Sequence, residues 1–350
     1  MSIQTTFISW YLQNKRDLPW RNIDDAYHIW ISEIILQQTR VAQGLAYYNR
    51  FIELFPTVQS LANADSDAVL KAWQGLGYYS RARNLHEGAK YVVKQFNGEI
   101  PAEYNLLRTI KGVGEYTASA IASLAFNLPH PVVDGNVNRV ISRIFGVLEP
   151  IDSTAGIKRI KEIAAEIIDK EQPGLHNQAI MEFGALQCIP RNPQCNACPF
   201  VHLCFAFKNN MVGELPVKLP KKPVARRNFY YLFIQFNNKV FLGKREKKDI
   251  WQGLYELPLI ETPSVMTLKE LAASESWKQI FEKNHVTFNS DPVELTHQLS
   301  HQTIIARFLN ISISSPSTYL NNNYINIDAG KIHQYPVSKL IDNYFTIAGI

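Results

Sequence analysis

Four cysteines, Cys188, Cys195, Cys198 and Cys204, are separated by six, two and five residues, and the 350-residue chain holds no others. In a cytoplasmic chain of this size, thiols gathered so closely point to a metal rather than to disulfides. Zinc sites usually pair short spacings on two knuckles. One compact loop supplying four thiolates fits a cubane iron–sulfur cluster better, with zinc as the alternative. A second candidate is the turn Gly112-Val113-Gly114, which opens a run of small apolar residues, Ala118, Ala120, Ile121 and Leu124. Glycines entering a helix let backbone amides meet an anion, most naturally a phosphate, with no Cβ in the way. The plainer alternative is a helical hairpin whose glycines only permit close packing. Two carboxyls complete the set. Glu33 lies among apolar neighbours, with Gln37 and Gln38 about one turn later. A carboxylate embedded in this way has its pKa raised by desolvation unless it is paired; the alternative is a solvated glutamate on the outer face. Asp134 follows a proline-marked loop in Val132-Val133-Asp134-Gly135-Asn136.

The elements that must position these groups are helical. Residues 2–14 read as a helix, stopped by Asn14-Lys15-Arg16-Asp17 and Pro19, and the loop 17–21 joins a rigid turn to Trp20 and Arg21. From 27 to 51 the apolar residues Ile29, Trp30, Ile34, Val41, Leu45 and Tyr48 recur at helical spacing. Another helix at 58–73 leads to Gly75-Leu76-Gly77-Tyr78-Tyr79-Ser80-Arg81. Glycine, aromatic and arginine together suit a loop touching nucleic acid, although core filling explains Tyr78 and Tyr79 equally well. Leu106, Leu107 and Ile110 give a short helix before the glycine turn, and further helices are expected at roughly 137–146, 155–169 and 175–186. Residues 1–208 show no period-two alternation, so this region reads as all-α.

Residues 209–228 carry prolines at 216, 220 and 223 and no periodicity, which marks an extended linker. The net charge of +5 concentrates there: five basic residues (Lys218, Lys221, Lys222, Arg226, Arg227) face one acidic, Glu214. Such a strip favours a polyanion, although basic runs are commonly just solvated. Beyond it, 229–236 and 239–245 about Asn237-Asn238 read as a β-hairpin, followed by helical patterns near 267–283 and strands near 292–300, 303–313 and 324–327. The second domain is therefore α/β. Its segment Thr296-His297-Gln298-Leu299-Ser300-His301 holds no cysteine or carboxylate of its own to suggest a triad or zinc site. No secretory leader or membrane-length apolar run is present, so a cytoplasmic protein with no membrane partner is expected.

The helix–hairpin–helix with Gly-Val-Gly, the downstream Asp134 and the four-cysteine run together resemble the DNA glycosylase superfamily that includes endonuclease III. Three features narrow the resemblance to its adenine-specific MutY family. These are the glutamate helix 32–40, Tyr116 where lyase-active relatives place a Schiff-base lysine, and the aspartate loop Asp134-Gly135-Asn136-Val137. The resemblance covers nearly the whole chain. It implies a multidomain protein: an all-α catalytic region 1–208, comprising a six-helix helix–hairpin–helix domain at about 22–133 and a cluster domain from about 1–21 and 134–208. The linker 209–228 follows, and then a smaller α/β, Nudix-like lesion-recognition domain at 229–350.

The same resemblance implies roles. Glu33 is expected to protonate a ring nitrogen of adenine and handle the water, and Asp134 to stabilise or transiently bond the sugar, which is the two-carboxylate logic of glycoside cleavage. One of the two carboxyls is expected to be drier than the other. Tyr116 and Asn136 are expected to position them. Trp20, Arg21, Gln178 and Met181 are expected to line the base pocket, and Leu36, Gln38 and Tyr78 to fill or prop the duplex, with Leu76 and Gly77 close to the DNA. The amides of Gly112 and Gly114 are expected to hold a phosphate. A 4Fe-4S cluster on Cys188, Cys195, Cys198 and Cys204 is expected to shape a loop that carries Arg191. Ser300 and His301 are expected to read an oxidised guanine. The implied partner is double-stranded DNA with adenine opposite 8-oxoguanine or guanine, bound by a monomer at a bacterial-type nucleoid. Tyr116 implies base release without strand cleavage, with Lys111 nearby as a source of residual lyase activity. Leu299 stands where the family has phenylalanine, Glu115 where proline is usual, and the glutamate-rich Nudix box is missing, so pyrophosphate hydrolysis is not expected. Two alternatives remain: an endonuclease III-like glycosylase/lyase for oxidised pyrimidines, and a non-catalytic DNA-binding protein.

Overall fold

A computed structural model describes residues 2–21, 23–220, 223–282 and 284–350. Asn22, at the expected start of the first helical domain, and Lys221 and Lys222, two of the five linker cations, lie outside the described residues. The first part of the chain forms helices α1 (Ile3–Asn14), α2 (Ala26–Leu36), α3 (Val41–Leu54), α4 (Val58–Asn63), α5 (Ser66–Ala72) and α6 (Ser80–Phe96). It continues through α7 (Tyr104–Leu107), α8 (Glu115–Leu124), α9 (Gly135–Phe145), α10 (Thr154–Ile167), α11 (Pro173–Leu186) and α12 (Phe205–Lys208). Among the described residues, no helix is long and apolar enough to cross a membrane.

Two expected helices are each broken. The pattern at 27–51 is interrupted between α2 and α3, where Gln38 adopts a left-handed backbone with φ 58°. The pattern at 58–73 divides at Asp65, whose carboxylate caps α5 by accepting from the Asp67 N–H. Helical periodicity continues across both breaks because the residues on each side still face a core.

Contacts divide the chain into two compact units, Met1–Asn63 with Glu87–Lys221, and Ala64–His86 with Lys222–Ile350. This division differs from the expected boundaries. Residues 64–86, read as part of the all-α region, group with the second unit, and the later boundary falls inside 209–228.

In the first unit, Phe7 and Tyr11 of α1 pack with Val137, Val140 and Ile141 of α9, Ile160 and Ile163 of α10, Ile180 and Phe183 of α11, and Phe200. The Phe7 ring lies 5.3 Å from Phe183 and 4.4 Å from Phe200. The hairpin of α7 and α8 turns at Gly112, whose φ of 86° is a conformation that only glycine adopts freely.

The second unit is built on a mixed sheet of β1 (Ala225–Phe236), β2 (Lys239–Lys244), β3 (Tyr255–Glu256), β4 (Leu259–Thr262), β5 (Val286–Phe288), β6 (Val293–Gln298), β7 (Gln302–Ile313) and β8 (Ile325–Asp328). β1 begins at Ala225, four residues inside the expected linker, because 225–235 pairs in parallel with β7. Asn237 and Asn238 both have positive φ, 49° and 58°, and close the expected hairpin. One sheet face meets α13 (Leu268–Ala273), α14 (Glu275–Phe281) and α15 (Thr318–Asn323). Phe308 stacks on Tyr344 of α16 (Lys339–Ala348) at 4.2 Å.

Phe200→Ala opens the centre of the first core. It is expected to cost about 3–5 kcal/mol, read as a lower urea midpoint in unfolding followed by ellipticity.

Candidate active site

The Glu33 helix has no solvent side. Asp25 caps α2 by accepting from the His28 N–H, and every residue from Ile29 to Ile35 is buried. Glu33 itself is 8% exposed. The solvated alternative for this glutamate is therefore excluded. Its Oε2 accepts from the Tyr116 hydroxyl at 2.7 Å. Burial pushes the Glu33 carboxyl up to about 7; the Tyr116 hydrogen bond opposes the rise and the charge of Asp134 adds to it. Burial also raises Tyr116 well above its ordinary value, with Glu33 and Asp134 both contributing. Tyr116 lies in the first turn of α8, directly after the glycine turn, and its hydroxyl is also 3.8 Å from the Met181 sulfur of α11.

Asp134 is the N-cap of α9. One carboxylate oxygen accepts from the Val137 N–H at 2.7 Å, the other from Asn136 Nδ2 at 2.8 Å. Burial raises its pKa above the ordinary carboxylate value, and these donors and the Arg139 charge offset only part of that rise. Asn136 is held in turn. Its Oδ1 accepts from Arg139 Nη2 at 2.9 Å, and Arg139 also donates to the carbonyls of Gly184 and Cys188. A Cβ at Gly184 would lie 2.6 Å from that of Asn136, so α11 approaches α9 this closely only because residue 184 is glycine. The two carboxyls thus differ in support, with one donor for Glu33 and several for Asp134.

Arg21 does not stand free. Its guanidinium and that of Arg16 both bind Glu182 of α11, at 2.6 and 2.5 Å, and Glu182 is 1% exposed. Burial works against the charge on Glu182, but hydrogen bonds from Arg16 and Arg21 overcome it and hold the carboxyl down at about 2. The Arg21 guanidinium also lies over the Tyr11 ring, and Tyr11 donates to Gln178 Oε1. Trp20 is buried edge-on against Tyr48 at 5.1 Å. Glu182, Arg16 and Arg139 were not singled out in the sequence. Glu182 lies one helical turn beyond Gln178 and is flanked by Met181 and Phe183, which is the same signal that drew attention to Glu33.

The remaining candidates lie on turns and loops. Leu36 ends α2 and Gln38 is exposed beyond it. In the first unit, Gly112 and Gly114 are exposed at the start of α8. In the second, Leu76 is buried and Gly77 half-buried, whereas Tyr78 is 49% exposed with φ 47°, its ring 5.3 Å from the Arg81 guanidinium. Ser300 and His301 are exposed at the tip between β6 and β7, with Ser300 Oγ 3.2 Å from His301 Nδ1.

The four cysteines line one pocket, together with Arg143, Phe183 and Phe207. Arg143 Nη1 donates to Cys188 Sγ, and the Phe200 N–H to Cys198 Sγ, both at 3.4 Å. Buried Arg143 also holds the carbonyls of Ile189, Pro190 and Leu215, so it fixes the loop from inside. Among the described residues, no three His, Cys, Asp or Glu side chains are arranged to hold a single metal ion.

Residues 31–166 match the family of HhH-GPD superfamily base excision DNA repair proteins, and residues 229–346 match the NUDIX domain. The chain is 34% identical over 327 residues to the adenine DNA glycosylase of Buchnera aphidicola subsp. Baizongia pistaciae, covering 91% of this chain and 88% of the relative. It is 42% identical over 231 residues to the adenine DNA glycosylase of Mus musculus, covering 63% and 45%. Among solved structures it resembles a thermostable thymine-DNA glycosylase (28% identity, TM-score 0.55, 59% of this chain and 95% of that one). It also resembles endonuclease III trapped as a covalent intermediate with DNA (25% identity, TM-score 0.52, again 59% and 95%).

The Glu33 carboxyl binds its proton more tightly in the folded state than in the unfolded one, from 4.5 up to about 7. Folded protein therefore loses stability as pH rises from about 4.5 to 7, and the full cost remains above 7. Glu33→Gln removes that cost and keeps an acceptor for Tyr116. It is expected to be more stable than the parent at pH 8 by about 3 kcal/mol at most, a gap that closes toward pH 4.5; thermal melts across this range check it.

Proposed function

We propose, for a chain that belongs to the adenine DNA glycosylases, a reaction in which Glu33 and Asp134 divide the work of cutting the bond between adenine and deoxyribose. The protein is a DNA glycosylase of base excision repair. The base is flipped out of the stack to be reached. Glu33, protonated, gives its proton to a ring nitrogen of adenine as the glycosidic bond breaks and the bonding pair moves into the purine. Ionised Asp134 faces the positive charge that develops on the sugar. Water then adds at the anomeric carbon and its proton returns to Glu33. The observation that carries this reading is the inequality of the two carboxyls. Glu33 is buried with one hydrogen-bond donor and pushed up to about 7, while Asp134 caps a helix and accepts from Val137 and Asn136.

Tyr116 cannot form an imine, so base release leaves the strand intact. The Gly112–Gly114 turn holds a phosphate, and the loops bearing Gln38 and Tyr78 prop the vacated duplex. Ser300 and His301 read 8-oxoguanine or guanine opposite the adenine, and the enzyme acts as a monomer. Trp20 and Gln178 border the base pocket, with Arg21 anchored beside them by Glu182. Cys188, Cys195, Cys198 and Cys204 hold a 4Fe-4S cluster. All four thiols line one pocket, and their supply from a single compact loop favours an iron–sulfur core over zinc. Held by these four thiols, such a cluster would brace the loop that carries Arg191.

A duplex with adenine opposite 8-oxoguanine tests the reading. The strand is expected to break only after alkali; breakage without alkali supports the lyase alternative, and tight binding without product a non-catalytic clamp. Glu33→Gln is expected to bind this duplex and release no adenine, and undiminished turnover would remove Glu33 from the mechanism. Single-turnover rates are expected to fall about tenfold per pH unit above about 7, as Glu33 loses its proton. Tyr116→Phe removes the bond that favours the carboxylate, so it moves that limb to higher pH.

A further inference from the structure

The loop that carries Tyr78 is tied to the Nudix-like fold by hydrogen bonds that the reaction itself does not need. The Tyr79 hydroxyl accepts from the Gly75 N–H at 3.2 Å and donates to the Val337 carbonyl at 3.3 Å. Gln74 donates to Asp342 Oδ1 at 3.0 Å, and its own oxygen accepts from the Val337 N–H and from Lys71 Nζ. Lys71 reaches the Tyr335 carbonyl, and Arg83 donates to the Gln252 carbonyl at 2.6 Å. At the far end, Asp67 takes Lys244 Nζ and the Tyr255 hydroxyl. Val337 is itself bridged to Tyr255 of β3, and β3 pairs with β2, β2 with β1, and β1 with β7, whose first residue follows His301. A continuous ladder therefore connects the turn before Tyr78 to the tip bearing Ser300 and His301.

We infer that Tyr79 and Gln74 are positioning residues, through which the Nudix-like fold sets the pose of Tyr78 as a wedge in the duplex. This rests on the reading of Tyr78 as a DNA-propping residue. Tyr78 has features of a presented side chain rather than a core one. It is half exposed, its backbone is left-handed, and its ring faces Arg81, which also lies 5.5 Å from the Trp73 ring. An exposed ring on a short turn has its direction set by the turn. Here the turn is held before Tyr78 by Gln74 on Asp342, and after it by Tyr79, whose hydroxyl takes the Gly75 N–H and donates to Val337. Reading of the opposite base and wedging beside it thus share one rigid support.

The test uses the full-length protein and a duplex with 2-aminopurine next to the base opposite the target adenine, whose fluorescence rises when a wedge unstacks it. Tyr78→Ala is expected to abolish the rise. Tyr79→Phe and Asp342→Ala are each expected to weaken the wedging equilibrium about three- to tenfold, the worth of one or two hydrogen bonds. A purely structural role would lower the thermal midpoint and leave the fluorescence of folded protein unchanged. A rise that Tyr78→Ala abolishes but Tyr79→Phe and Asp342→Ala leave intact overturns the inference alone. A rise that Tyr78→Ala leaves unchanged removes the wedge, and the inference with it. Where wedging weakens as expected but the wild type excises adenine equally well opposite guanine and 8-oxoguanine, the positioning role stands and the lesion-reading role of Ser300 and His301 falls.

Discussion

A carboxyl group placed on a helix with no solvent face is the constraint around which the catalytic unit is built. Ile29, Trp30, Ile31, Ile34 and Ile35 leave α2 largely buried, so Glu33 is shielded from bulk water. An isolated charge in such a place costs several kcal/mol, and proteins lower that cost by letting the group keep its proton. The Tyr116 hydroxyl gives one compensating bond, which is enough to fix the orientation of the carboxyl and too little to ionise it fully near neutrality. The glycine hairpin then has a structural duty beside any phosphate contact. It starts α8 at the point that puts Tyr116, the second residue of the helix, against Glu33.

Asp134 solves the opposite problem. A helix N-terminus offers orphan N–H groups and a positive dipole end, both of which favour a carboxylate. The same side chain that terminates the loop therefore starts α9. Its Asn136 partner is held by Arg139, which reaches the carbonyl of Cys188, the first thiol of the cysteine loop. Asn136 and Arg139 thus form a hydrogen-bonded chain between Asp134 and the cysteine loop.

Much of this was legible in the sequence, for reasons that can be named. The helix–hairpin–helix announces itself because Gly112 needs a positive φ and α8 needs small residues. The cysteines announce themselves by spacing. The break between α2 and α3 stayed hidden, since apolar periodicity resumes after Gln38 and no glycine or proline marks the turn. Glu182 stayed hidden because its partners, Arg16 and Arg21, lie about 160 positions away, and pairing at that range leaves no local trace. The grouping of 64–86 with the second unit is similar. Gln74 and Arg83 look like ordinary surface polar residues until Asp342 and Gln252 are brought beside them, and the sequence gives no sign that the Tyr79 hydroxyl meets Val337.

Backbone strain is distributed unevenly between chemistry and recognition. Left-handed backbone at asparagine, as in the Asn237-Asn238 turn, is cheap, whereas at a long or aromatic side chain it costs about 1–2 kcal/mol. Gln38 and Tyr78 both carry that cost, each on a turn where it directs an exposed side chain outward. Glu33, Tyr116 and Asp134 carry none, being placed by regular helices and caps. Such strain survives only where surrounding contacts over-determine the turn. At Tyr78 these are the Arg81 guanidinium against the ring and the bonds that fix Gly75 and Gln74. A loop held in this way is already shaped, so a partner docking on it would cost less ordering entropy than on a slack loop.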